Sequence, residues 1–428
     1  MELILLTTVF LVAIALSLDI ALSMILASAV LLLVTGVVPL HLIAEKAVSQ
    51  VSLFPLLAIP GFIVAGELMN VTGLTRALGE FARALVGRWT GGMGLATVLA
   101  CMIFGGMTGS GLAETVAIGT LMIPMLEQHG YPRSFSAAIV ASGGSLGPII
   151  PPSIPMVIYA SIAPTVSVAA LFIGGVVPGI LIGLGFMGVV VIRSRKLFAT
   201  APSRQEASES FGRIGVRALP ALMVPVIILG GSLGGYVTVT EASVLAAIYV
   251  LLYGLIAGTV TWKALYKAAA NTATATGLFG FIIAAAGPFA FFLALYQAPE
   301  AVGNLLVTLS GGNADVLMVF LTIVLLVLGC LVEATSLVII LAPILAGTAT
   351  VAHIDQLHMA LVAITALMIG LFTPPVGTNL FAVVSIAGET LEKISREVVP
   401  FAIVAGLVVL ALALMPSLVV WLPHLTMK

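Results

Sequence analysis

Charge is scarce in this chain. Only 8% of its 428 residues are Asp, Glu, Lys or Arg, while 61% are hydrophobic and the mean hydropathy is +1.27, which excludes a water-soluble globular domain. The formal net charge is −1, so no basic field exists to recruit nucleic acid. Cysteine is equally sparse: Cys101 and Cys330 sit singly in apolar segments, without redox or zinc spacing. The five histidines are expected in connections and show no zincin pattern. Nucleophile elbow, P-loop and dinucleotide fingerprint are missing too, which excludes an ATP-driven pump. The first residues, MELILLTTVFLVAIALSLDI, lack a basic leader and a small-residue cleavage site, so they predict a first membrane span and not a removed signal peptide.

What the chain has in abundance is apolar runs. A helix needs about 20 apolar residues to cross the hydrocarbon core, and spans are predicted at 2–18, 20–38, 48–72, 134–163, 169–192, 216–236, 240–260, 271–296, 357–387 and 398–422. Two further stretches, 91–128 and 315–352, break midway at MTGSGLAET (107–115) and GCLVEATS (329–336). These predict hairpins that enter and leave on one side. The connection 193–217 carries six Lys and Arg, and the positive-inside rule places it in the cytoplasm. Counting spans from it puts Arg76, Arg83, Arg88, Arg133, Lys263, Lys267, Lys393 and Arg396 inside. The segment 297–314, which has no Lys or Arg, falls outside.

The chain also repeats itself. Gly61-Phe62-Ile63 recurs as Gly280-Phe281-Ile282, and Glu114 and Pro124 recur as Glu333 and Pro343, at an offset of 219. Pro151-Pro152 and Pro374-Pro375, each with a glycine four residues earlier, stand 223 apart. The predicted fold is an all-α polytopic membrane protein of two inverted-topology repeats. Residues 1–196 and 216–428 would each hold about five spans and a hairpin, joined by a cytoplasmic connection at 197–215. Arms are expected at 74–88 and 297–314, and broken spans at 134–163 and 357–387. Inverted repeats are an architecture of secondary transporters.

The chemistry concentrates where spans break, at SLGPIIPPSIPM (145–156) and GLFTPPVGTNLF (370–381). Paired prolines end a helix, and at membrane depth the freed carbonyls suit a cation and the freed amides an anion. Sodium, a hard ion, takes oxygen ligands. Backbone carbonyls of Gly147, Ile150, Gly370, Thr373 and Val376, with hydroxyls of Thr108, Ser110, Thr373 and Thr335, are the candidates. Ser145, Thr378 and Asn379 flank the breaks, where they could meet substrate or only hydrogen-bond between helices. Glu114 and Glu333 follow the hairpin breaks. An intramembrane carboxylate costs about 2.5–3.5 kcal/mol at mid-helix, so these two either bias a cation site or cap the second half-helix. Glu241 reads as a first-turn residue at the membrane surface. Glu67 and Asp19 have no partner evident in the sequence.

GGMTGSGLAETVAIGTLMIPMLEQHGYPRSFSAAIVASGGSLGPIIPPSIPMVIYAS, VTVTEASVLAAIYVLLYGLI and GLFTPPVGTNLFAVVSIAG together resemble the large membrane subunit of tripartite ATP-independent periplasmic (TRAP) transporters, in order over essentially the whole chain. The resemblance implies a sodium-coupled importer of organic anions in the bacterial inner membrane, working by an elevator motion of hairpins and broken spans. It also implies two partners, a small four-helix membrane subunit on a separate chain and a soluble periplasmic substrate-binding protein. The family's sodium positions fall here on Thr108, Ser110, Gly147, Ile150 and Ser153, and on Gly329, Gly370, Thr373 and Val376. The second tip departs from the family: Glu333-Ala334 stands where Asp followed by Pro or a small residue is usual. Two other readings lack their required features or make a different demand. A hydrolase built on Ser110 and Glu114 has no His or Lys nearby to act as base, and a self-sufficient sodium and dicarboxylate symporter would need no delivery protein.

Overall fold

The computed structural model describes residues 1–197 and 210–426. The middle of the predicted polar connection, 198–209, lies outside the described residues. The described chain is all-α and multi-pass. Eight of its helices are long and apolar enough to cross a membrane, and shorter apolar helices accompany them. Large apolar side chains such as Leu33, Leu184, Ile192 and Leu407 are exposed, as lipid-facing helices require.

Local signals start and stop these helices. Asp19, Thr261, Asn313 and Asp355 accept bonds from first-turn amides, and Thr238 forms a capping box with Glu241. Several boundaries differ from expectation. The span predicted at 48–72 is a helix His41–Val51, a short turn, and a second helix Ala58–Thr72, because Leu53-Phe54-Pro55 interrupts it. The span expected from 271 is a continuous 34-residue helix, Trp262–Leu295. The last span stops at Met415, before Pro416. His358, expected in a connection, lies in helix Gln356–Ile369, with its ring nitrogen 2.9 Å from the Leu412 carbonyl.

Packing sorts the helices into two groups. In the first, Ala58–Thr72 lies along Val239–Ile256 and Trp262–Leu295. In the second, the hairpins pack with the broken spans and with Val168–Leu197 and Leu391–Leu414. Four rings tie the second group together. Phe186 of Val168–Leu197 meets Phe372 edge-on at 5.6 Å and Phe401 at 5.5 Å, and Phe401 meets Phe135 at 6.2 Å. Each such pair adds about 0.5–1.5 kcal/mol beyond burial, and the chain of contacts joins both broken spans. The amphipathic arms Leu74–Val86 and Ala298–Leu309 lie against the hairpins, Gly79 facing Leu121 and Met122 and Gly303 facing Thr348 and Val351.

Candidate functional site

Each broken run is two helices with an interruption between them. The first hairpin is Gly92–Thr108 and Gly111–Gln128, the second Ala314–Leu331 and Ala334–Val351. The first broken span is Arg133–Gly144 and Ile154–Ile162. The second is Gln356–Ile369, a single 3-10 turn, and Thr378–Ala387.

Each hairpin tip is seated against a break. The first hairpin turns at Gly109 with φ 63°, a conformation that glycine adopts without strain. The turn brings the Gly109 carbonyl 3.4 Å from the Ile154 amide, just beyond Pro151-Pro152. At the second junction the Cys330 carbonyl accepts from the Val376 amide at 3.2 Å, just beyond Pro374-Pro375. Glycines let the backbones touch: a β-carbon on Gly105 would lie 2.7 Å from Gly147 Cα, and one on Gly329 would lie 2.8 Å from the Leu367 carbonyl.

Thr108, Ser110, Gly147, Ile150 and Ser153 therefore meet at the first junction. Thr108 is buried, and its hydroxyl has no hydrogen-bond partner among the described residues. Ser110 caps its helix through the Ala113 amide at 3.5 Å. The Ser153 hydroxyl donates to the Pro148 carbonyl at 2.5 Å and accepts from the Met156 amide at 3.3 Å. The Ile150 amide is bonded to the Leu146 carbonyl at 2.7 Å. Gly329, Gly370, Thr373 and Val376 meet at the second junction. There the Thr373 hydroxyl donates to the Ile369 carbonyl at 2.7 Å, and its amide to the Gly370 carbonyl at 3.2 Å.

The two tip carboxylates differ. Glu333 is an N-cap, accepting from the Thr335 amide at 3.0 Å and the Ser336 amide at 2.7 Å. Glu114 caps nothing: it is fully buried, its oxygens meet no nitrogen or oxygen donor among the described residues, and the weakly polar Cys101 thiol lies beside it. Helices Gly111–Gln128 and Ala334–Val351 begin and end 223 residues apart, the same spacing as the proline pairs, whereas the two glutamates stand 219 apart: Glu333 is the residue before its helix and Glu114 lies in the first turn of its own.

Of the residues flanking the breaks, Thr378 alone lines the large cavity of the structure. Ser145 is buried, and its hydroxyl folds back on the Ser142 carbonyl at 2.7 Å. Asn379 crosses to the other broken span, donating to the Ala141 carbonyl at 3.2 Å, while its buried Oδ1 has no partner among the described residues.

That cavity, about 980 Å³, separates the two helix groups. Thr108, Ser110, Glu333, Thr335 and Thr378 lie on the hairpin side, and Asp19, Glu67, Arg76, Lys267 and Asn271 on the other. The groups touch at Gly66, where a β-carbon would come 2.6 Å from Thr108 Cγ2. The polar residues of this second wall were not expected at the site. Glu67 was flagged as an intramembrane carboxylate, but its partner, the Asn271 amide at 3.1 Å, lies on a helix 204 residues downstream, beyond the reach of any local pattern.

The family described as "Tripartite ATP-independent periplasmic transporter, DctM component" matches residues 7–418. The isethionate TRAP transporter permease protein of Oleidesulfovibrio alaskensis is 34% identical over 93% of this chain and 63% of its own length. The sialic acid TRAP transporter large permease protein of Vibrio cholerae is 32% identical over 94% of both chains. The C4-dicarboxylate TRAP transporter large permease protein of Pseudomonas aeruginosa is 37% identical over 87% of this chain and 86% of that one. Among solved structures, the YdaH transporter of Alcanivorax borkumensis superposes with a TM-score of 0.62 at 16% identity, covering 88% of this chain and 87% of that one. MtrF of Neisseria gonorrhoeae does so at 0.63 and 16%, covering 90% and 85%. These two likenesses show a shared multi-pass membrane fold. The chain belongs to the DctM component family of tripartite ATP-independent periplasmic transporters, and is a membrane permease component and not an enzyme.

Proposed function

We propose that this chain carries a small organic anion into the cell by sodium-coupled secondary transport, with an elevator-type movement of the hairpins and broken spans past the first helix group. In this reading residues 1–196 and 216–428 are inverted repeats around the connection 197–215. The common spacing of 223 between matching helices of the two halves supports it. The ring contacts that join both broken spans make the second group a plausible rigid carrier. Its partners would be a small four-helix membrane subunit, a soluble periplasmic binding protein and the surrounding lipid.

One observation carries the proposal: the buried oxygens of Thr108, without a partner, and of Glu114, with only the Cys101 thiol beside them, sit at a broken helix whose hairpin tip faces a large cavity. A buried oxygen without a partner costs roughly 1–3 kcal/mol, more when charged, and a hard cation bound there would offset that cost. Carbonyls of Gly147 and Ile150, with the hydroxyls of Ser110 and Ser153, would complete a first sodium site. Gly329, Gly370, Thr373 and Val376 would frame a second. The named relatives are transporters of a sulfonate, a sialic acid and a C4-dicarboxylate, and a cargo of that class fits a cavity whose hairpin wall presents the hydroxyls of Ser110, Thr335 and Thr378.

Reconstitution tests this. The chain with its small subunit and cognate binding protein in proteoliposomes should take up the binding protein's ligand only on an inward sodium gradient. Uptake by the chain alone, from free ligand, would favour a self-sufficient symporter. Uptake that ignores the sodium gradient would remove the coupling.

A further inference from the structure

The cavity wall opposite the hairpin tips carries charges of both signs, and most are already engaged. Arg76 is held by Glu80 at 3.3 Å, and Glu67 receives the Asn271 amide at 3.1 Å. Asp19 accepts the Ala21 amide at 2.9 Å as a helix cap. Lys267 also lines the cavity, one turn from Asn271 on helix Trp262–Leu295, and no ion pair among the described residues includes it. The same helix face turns apolar further in, at Ala275, Leu278 and Phe279. Lys267 therefore stands at the polar end of one cavity wall as a cation in no direct ion pair, while Asp19 and Glu67 on the same wall are each held by a neutral amide donor. That end is the one the Lys and Arg distribution assigns to the cytoplasm.

A carboxylate or sulfonate leaving the hairpin side must cross this cavity, and an ammonium group is a compact partner for it. We infer that Lys267 is the anion-receiving residue of the cytoplasmic half of the cavity. It would pair with the acidic group of the cargo after the hairpin site releases it. The inference rests on the anion-transport reading above and adds a station to it. Lys263, four residues earlier on the same helix and equally exposed, does not line the cavity. It controls for the alternative that lysines here only anchor the helix at the membrane surface.

The test uses the purified full chain, with succinate and isethionate as separate probes at fixed sodium and ionic strength. Each should raise the melting temperature of the wild type and of Lys263→Gln. Lys267→Gln should weaken the response by roughly tenfold in apparent affinity, the scale of one lost charge-assisted hydrogen bond, and Lys267→Arg should keep most of it. Equal responses in all variants, or no response in the wild type, would overturn the inference. Uptake by the complete reconstituted complex is measured in parallel. Loss of the response in Lys267→Gln, with a wild-type complex that shows no sodium-driven uptake, would leave the anion station standing and remove the transport reading instead.

Discussion

Gly147 and Glu114 share one contact: a β-carbon built on Gly147 overlaps the Glu114 carboxylate, and lies 3.5 Å from the Ser110 carbonyl. The first break can therefore seat against the first hairpin only while position 147 carries no side chain. Gly147→Ala should cost about 1–3 kcal/mol, the usual penalty for overpacking, and should depress transport by separating tip from break. Gly277→Ala is the reference, since nothing lies within 4 Å of its β-carbon, and an exposed helical Gly→Ala change is neutral or mildly stabilising. Thermal melts of the two variants in detergent should move in opposite directions or differ clearly. Equal melts would show that the first junction yields easily.

Much of this arrangement was legible in the chain, because the interruptions are local. MTGSGLAET, GCLVEATS and the two Pro-Pro runs interrupt apolar stretches with glycine, polar residues or proline, and the helices of the structure are interrupted at the same places. The opposite wall of the cavity was not legible. Trp262–Leu295 begins with the mixed run WKALYKAAA, which falls before the span predicted from 271 and so left Lys267 out of any site reading. The pairing of Glu67 with Asn271 joins helices far apart in sequence. Two glutamates in similar apolar settings also looked equivalent, when one is a cap and the other is buried with only the Cys101 thiol beside it.

Glu333 offers a test of the capping role. Its two oxygens each take a different amide, from Thr335 and Ser336. Glu333→Asp keeps both acceptors, Glu333→Gln keeps one, and Glu333→Ala removes both. Stability should fall in that order, with the alanine variant about 1 kcal/mol below wild type, the common cost of a lost N-cap. A melt of Glu333→Ala that matches wild type would mean that water or lipid headgroups satisfy those amides equally well.

Thr373 separates ion binding from folding at the second junction. Its hydroxyl spends its proton on the Ile369 carbonyl, which leaves the oxygen lone pairs for a cation. Thr373→Ala should raise the sodium concentration for half-maximal uptake roughly tenfold, one charge-assisted contact's worth, while membrane insertion and yield stay normal. Thr373→Ser should retain wild-type sodium dependence. If the alanine variant shows an unchanged sodium response, Thr373 is a helix-terminating residue and no ligand.

Glu114 is the sharpest case, because folding and ion binding pull its substitutions in opposite directions. An ionised carboxylate that is fully buried with only a weak thiol donor such as Cys101 beside it is destabilising by several kcal/mol unless a cation lies there too. Glu114→Gln keeps the shape and removes the charge, so in sodium-free buffer it should melt at or above wild type. Added sodium stabilises whichever form binds it, by RT ln(1 + [Na+]/Kd). The wild type should then gain melting temperature with sodium and overtake Glu114→Gln, whose response should be flatter. Potassium or choline at the same ionic strength should not reproduce the gain. The prediction fails if Glu114→Gln melts well below wild type without sodium, or if both respond to sodium alike, since either result would make the carboxylate a packing element with no ion to face.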